Sequence, residues 1–261
     1  LAYGSGQLHF GDLFLPSVAA GKRAPVVMFV HGGWWKNLYG LEYGGHLCAA
    51  LKRDAIAVWS IEYRRVGDAG GGFPGTFEDV AAGFDFLATL AKSYPLDLSR
   101  VVVAGHSAGA HLAFWLAGRP NVPETSVLHL PQPALAVHGA VALAGAVDLR
   151  LTIDLSGYFT FAHDKHEVVS FMGGLPAEVP DRYRAGDPGE LLPITAPQWL
   201  LQGTEDDQIP PRLPERWAAA GRRAGDRVTV DIIPGADHFD VVDPESAAWP
   251  RVRAALGAAL A

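Results

Sequence analysis

Six short apolar runs rich in β-branched residues recur along this chain, and most are followed by a stretch long enough for a helix: residues 25–31 (PVVMFVH), 55–63 (AIAVWSIEY), 100–105 (RVVVAG), 138–145 (HGAVALAG), 196–203 (APQWLLQG) and 227–235 (RVTVDIIPG). Continuous apolar runs of this length suit strands covered on both faces, and strands that alternate with helices form a parallel sheet. Residues 7–16 (QLHFGDLFLP) alternate instead, which predicts an antiparallel edge strand. Helices are expected over about residues 41–53, 76–92, 108–118, 211–224 and 244–260. The expected fold class is α/β: a mostly parallel central sheet with helices on both faces.

A chain of 261 residues that is 49% hydrophobic can bury one full core, so residues 1–261 are read as one domain. The longest part without a clear strand, residues 149–195, is expected to be a small cap or substrate-shaping insertion. The glycines of GDAGGGFPG at 67–75 read as loop residues, because no GK[ST] follows to make a phosphate cradle. A formal charge of −7 with no basic run argues against nucleic acid or an anionic membrane as partner. Cys48, the only cysteine, rules out an internal disulfide and reads as the buried side of a helix. No apolar stretch approaches the length of a membrane span, and LAYGSGQLHF lacks a signal-peptide pattern, so a cytoplasmic protein is expected. The chain opens on Leu1 and not on methionine, which leaves open a leader removed upstream.

The sharpest chemical signal is GHSAG at 105–109, set between the strand-like RVVVAG and the helical AHLAFWLAG. A serine at the end of a parallel strand that turns at once into a helix is held in a strained elbow, and small neighbours let the backbones approach. Ser107 is therefore the expected nucleophile, with Gly105 and Gly109 clearing space around it. HGGWW at 31–35 follows the strand-like PVVMFVH, counted as the third strand of such a fold. Its backbone, with Gly33 and Trp34 as donors, is expected to form an oxyanion hole together with Ala108.

A serine hydroxyl needs a base, and the base needs an orienting carboxylate. In the order serine, acid, histidine, His238 of PGADHFD follows one strand and is the expected base. Asp206 of QGTEDDQIP follows another and is preferred over Asp207 as the acid. His31 is expected to brace its loop, His106 to sit beside the nucleophile by position, and His111 to make a structural hydrogen bond. Glu62, Tyr63 and Arg64 read as a hydrogen-bonding corner. HDKHE at 163–167 has a zinc-like spacing without a third ligand, so no metal site is expected, and the chemistry needs no cofactor. Trp34, Tyr158, Phe159, Phe161 and Phe171 are the candidate aromatic wall of a substrate pocket.

HGGWW, EYRR followed by FPGTFEDV, GHSAG, GTEDDQIP and DHFD, spanning about residues 25–245, together resemble the esterase and hormone-sensitive-lipase-like branch of the α/β-hydrolase superfamily. HGGxW, GHSAGAHLA and DHFD are also similar to arylformamidases, which hydrolyse N-formylkynurenine. The resemblance implies the α/β-hydrolase fold, a triad of Ser107, Asp206 and His238, and oxyanion donors at Gly33, Trp34 and Ala108. It implies a carboxylesterase acting through an acyl-enzyme on a small ester, or an arylformamidase acting on an amide. A ligand receptor on the same scaffold is the non-catalytic alternative; against it, all three triad residue types are kept in order. The sequence leaves the oligomeric state open.

Overall fold

The computed structural model describes residues 1–131, 135–154 and 167–261. Each of the expected runs becomes a strand: β1 (Gly11–Phe14), β2 (Ala24–Val30), β3 (Ala57–Ile61), β4 (Leu96–His106), β5 (Gly139–Leu143), β6 (Gln198–Gly203) and β7 (Val228–Ile233). They form one sheet in the order β1-β3-β2-β4-β5-β6-β7. β1 runs antiparallel to β3, and every other pair is parallel.

The helices in chain order are α1 (Gly45–Arg53), α2 (Gly75–Asp85), α3 (Leu87–Leu90), α4 (Ala108–Gly118), α5 (Leu149–Asp154), α6 (Glu167–Met172), α7 (Pro180–Gly186), α8 (Arg212–Ala224) and α9 (Trp249–Ala259). They account for the continuous apolar strands. Val26, Met28, Trp59, Val103 and Ala142 join a core with Phe77 and Phe84 of α2, Trp115 of α4 and Trp217 of α8. The alternate residues Val27, Phe29, Val58, Val102 and Val141 join a second core with Leu47 and Leu51 of α1 and Leu256 of α9. With both faces covered, an unpartnered polar side chain in the centre of the sheet is costly, and the strands there are almost wholly apolar.

Two boundary differences stand out against the sequence reading. β4 starts at Leu96 and not at residue 100, because Ala24 and Pro25 pair with Leu96 and Asp97 before the register shifts between Pro25 and Val26. Asp97 hid that extension: its carboxylate accepts from the Ser99 amide and hydroxyl and from Arg100, a pattern that reads as a turn. The last helix starts at Trp249, with Pro250 in its first turn, after residues 240–242 make a 3-10 turn. Among the described residues, the strand leading into HGGWW is the second of seven.

Between residues 149 and 195 the described part holds α5, α6, α7 and a 3-10 turn at Pro188–Leu191. Val168, Phe171, Met172 and Tyr183 from this stretch join the first core. Cys48 is buried in α1, and burial pushes its thiol up to about 12, so it is an unreactive core residue. Among the described residues no helix is long and apolar enough to cross a membrane.

Candidate active site

Ser107 stands between the last residue of β4 and the first of α4, with φ 55° and ψ −123°. An L-residue held there stores on the order of 1–3 kcal/mol, which persists only where the surroundings fix it. They do so by close backbone approach. A side-chain carbon on Gly105 would lie 2.3 Å from the Gly109 carbonyl oxygen, and one on Gly109 would lie 2.1 Å from that of Val30. The Ser107 amide donates to Leu143 at 2.9 Å, and its carbonyl accepts from the amides of Ala110 and Ala146. Its own N–H is thus committed to β5. The amide of Ala108 opens α4, where a helix offers N–H groups without intrahelical partners and the positive end of its dipole.

His238 follows β7 and Asp206 follows β6, and the neighbouring strands bring them together. Nδ1 of His238 lies 2.8 Å from Oδ2 of Asp206, and both side chains are buried. The carboxylate only accepts, so Nδ1 carries the proton and Nε2 of the neutral ring holds the lone pair. Asp206 is held in turn: Oδ1 accepts from the amides of Gln208 and Ile209 at 2.8 Å, and Oδ2 accepts from Nε2 of Gln202 at 2.6 Å. Asp207 is exposed. Gln202 escaped the sequence reading; its signal was a buried amide at the end of an otherwise apolar strand, four residues before the acid.

The residue before Ser107 ties these parts together. The His106 ring lies 4.6 Å, centroid to centroid, from that of His238, and its Nε2 sits 2.9 Å from the His238 carbonyl oxygen. Burial first, and His238 second, hold the His106 imidazole well below its ordinary pKa, so it is neutral.

The loop after β2 is held in a left-handed conformation. Gly33, Trp34 and Trp35 take φ values of 110°, 54° and 56° in succession, a left-handed run in which two residues are not glycine. Trp35 anchors it: the ring stacks on Phe171 at 4.9 Å and 14°, and the indole N–H donates to Nδ1 of His111. Its carbonyl accepts from the Val66 amide. Ahead of this run, His31 is braced as expected. Nδ1 lies 2.8 Å from the Gly32 carbonyl oxygen, Nε2 lies 3.0 Å from Oε1 of Glu62, and Tyr63 stacks on the ring while its hydroxyl donates to the His31 carbonyl. Burial works to raise the Glu62 carboxyl, but the hydrogen bond and charge of His31, the Tyr63 amide and Arg65 together hold it below the usual range. Arg64, the third member of the expected corner, turns instead to Asp79, gripping both carboxylate oxygens.

A family model described as BD-FAE matches residues 11–218. The chain belongs to the BD-FAE family. Over 99% of this BD-FAE chain and 84% of its own, esterase B from Lactobacillus rhamnosus HN001 superimposes with a TM-score of 0.82 at 17% identity, which shows the α/β-hydrolase fold. An isoprenylcysteine alpha-carbonyl methylesterase of Arabidopsis thaliana is 25% identical over 250 residues, 92% of this chain and 56% of the relative. A kynurenine formamidase of Drosophila melanogaster is 29% identical over 245 residues, 93% of this chain and 75% of the relative. The BD-FAE chain thus spans little more than half the length of the methylesterases it matches.

Other singled-out residues of the BD-FAE chain fall in three groups. His111 is structural: Nε2 donates to the Gly186 carbonyl at 2.8 Å, rings of Trp35, Phe77 and Phe171 surround it, and burial brings its pKa down to about 3. Phe171 is 1% exposed among those same rings, so it is core packing and not an open wall, a correction to its reading as a pocket residue. Trp34 is half-buried. Tyr158, Phe159 and Phe161, with the histidines of HDKHE, lie outside the described residues.

Proposed function

We propose that this protein is a serine-dependent carboxylic-ester hydrolase acting on small acyl esters. The observation that carries the reading is the buried Asp206–His238 pair, tied through His106 to a strained Ser107 at a strand-to-helix turn. Ser107 attacks the ester carbonyl while Nε2 of His238 takes its proton. The amides of Ala108, Gly33 and Trp34 receive the developing oxyanion, and His238 returns the proton to the leaving alcohol. Water activated by the same histidine then releases the acid from the acyl-enzyme. Asp206 keeps the imidazole in the tautomer this needs. Trp34 flanks the acyl group, and the described helices between residues 149 and 195 help to shape the pocket. The methylesterase relatives support an ester substrate.

The Drosophila kynurenine formamidase, aligned over 93% of this chain, supports a second reading with the same machinery and an N-formyl amide as substrate. Comparing kcat/KM for short acyl esters, acetylated sugars, feruloyl esters and N-formylkynurenine separates the two. A preference for N-formylkynurenine by about two orders of magnitude would make the formamidase reading the right one. A serine-directed phosphonate tests the hydrolytic reading itself: an adduct at Ser107 is expected, and its absence would favour a ligand receptor.

A further inference from the structure

Tyr43, in the 3-10 turn Leu41–Gly44, has no place in the mechanism above, yet it stands between two of its parts. Its oxygen accepts the Gly32 amide and lies 3.0 Å from Nδ1 of His106. Nε2 of His106 lies 2.9 Å from the His238 carbonyl oxygen. Proton bookkeeping gives this chain one direction. A carbonyl oxygen only accepts, so Nε2 of His106 carries a hydrogen. The neutral ring has no second one, so Nδ1 accepts, and the Tyr43 hydroxyl must donate to it. Burial raises the Tyr43 phenol well above its ordinary pKa and keeps that proton in place. The sequence runs Gly32 N–H to Tyr43 O–H to His106, and from His106 N–H to the His238 carbonyl.

Each end abuts the chemistry. Gly32 precedes Gly33, and a side-chain carbon on Gly32 would lie 2.6 Å from the His106 carbonyl oxygen and 2.9 Å from Cβ of Ser107. His106 precedes Ser107, and the far end is the main chain of the base. We propose that Tyr43 and His106 are positioning residues, whose hydrogen-bonded chain from the Gly32 amide to the His238 carbonyl holds the oxyanion loop and the base loop in register across Ser107. The proposal rests on the hydrolytic reading above. It assigns His106 a role opposite in kind to that of His238: a fixed neutral donor that never exchanges its proton in the cycle.

The test uses the full chain and four variants: Tyr43→Phe, His106→Gln, His106→Leu and the double variant Tyr43→Phe/His106→Leu. Misplacement of reacting groups by about 1 Å can cost about 100-fold in rate, so Tyr43→Phe and His106→Leu should each lower kcat on a short acyl ester by about 10- to 100-fold. KM should stay within about twofold, because ground-state binding is untouched. Phosphonylation of Ser107 should slow in parallel. The glutamine amide can reproduce the donor that reaches the His238 carbonyl, so His106→Gln should recover most of the rate lost in His106→Leu. The double variant should be no slower than His106→Leu, since one break already opens the chain. Wild-type kcat in folded Tyr43→Phe and His106→Leu would overturn the proposal, as would His106→Gln no faster than His106→Leu with both folded. If His106→Leu fails to fold, Tyr43→Phe and His106→Gln still decide: a Tyr43→Phe kcat at the wild-type value refutes the chain. A wild-type protein that takes no phosphonate at Ser107 would instead bring down the hydrolytic reading.

Discussion

His111 gives a pH dependence whose size follows from its surroundings. It is fully buried against aromatic rings, accepts from Trp35, donates to Gly186, and has its pKa brought down to about 3 by burial. In the unfolded chain the imidazole titrates near about 6.5. The folded pKa is depressed, so below about pH 6.5 the unfolded state binds the extra proton, and folding stability falls with acidification. At pH 5 the unfolded imidazole is almost wholly protonated and the folded one is not, which costs about 2 kcal/mol relative to pH 8. That figure holds for any folded value below about 4. Asp187 works in the opposite sense: burial, then Asp148, raise its carboxyl to about 7, so its contribution is largest in acid and is lost as pH rises from about 4 through 7. Wild type alone therefore reports a sum, and the decisive quantity is a difference. Urea unfolding of wild type and His111→Gln at pH 8 and pH 5 should show the variant losing about 2 kcal/mol less between the two, whatever its stability at pH 8. An equal loss in both proteins would mean that His111 does not stay neutral in the folded state.

Ser107→Ala should abolish ester turnover with little change in Tm, and turnover at the wild-type rate would remove Ser107 as nucleophile. Asp206→Asn should lower kcat by about 10³- to 10⁴-fold, because the amide permits the wrong imidazole tautomer, whereas Asp207→Asn should stay within about threefold; the reverse order in steady-state assays would move the acid by one residue. Gly109→Ala should be more damaging to folding than Ser107→Ala, since the added carbon meets backbone oxygens of both Val30 and His31 at 2.1 and 2.3 Å. Soluble yield and Tm close to wild type would show that the elbow can relax.

The strands, the order of the chemistry-bearing residues and the elbow were legible because each rests on a local pattern: apolar runs, and glycines flanking a serine between strand and helix. Asp206 over Asp207 was legible from position after its strand, and the hydrogen bond to His238 agrees with that preference. What could not be read were contacts between segments far apart in the chain. Tyr43 meets His106 across 63 positions, and Trp35 meets His111 across 76. No local pattern distinguishes a tyrosine that bridges two loops from one that covers a helix. Phe171 shows the same limit from the other side: its aromatic character suited a pocket wall, and only the stack on Trp35 reveals that it props the distorted loop from beneath. Residues 96–99 were missed for a different reason, because Asp97 satisfies neighbouring donors locally while its backbone pairs with β2.

The amide of Ser107 is bonded to Leu143, and its carbonyl takes two further amides, so the proposed nucleophile hangs from the adjacent strand as much as from its own turn. The pairing of β4 with β5 is therefore one of the supports of the unfavourable φ and ψ at Ser107, beside the close approach of β2 at Gly109. Opening the elbow by itself would break the Ser107 amide bond to β5. Deuterium should enter the Ser107 amide only through the global unfolding of the sheet. The residue proposed to do the chemistry would then sit on one of the most protected amides, next to the left-handed run at Gly33, Trp34 and Trp35.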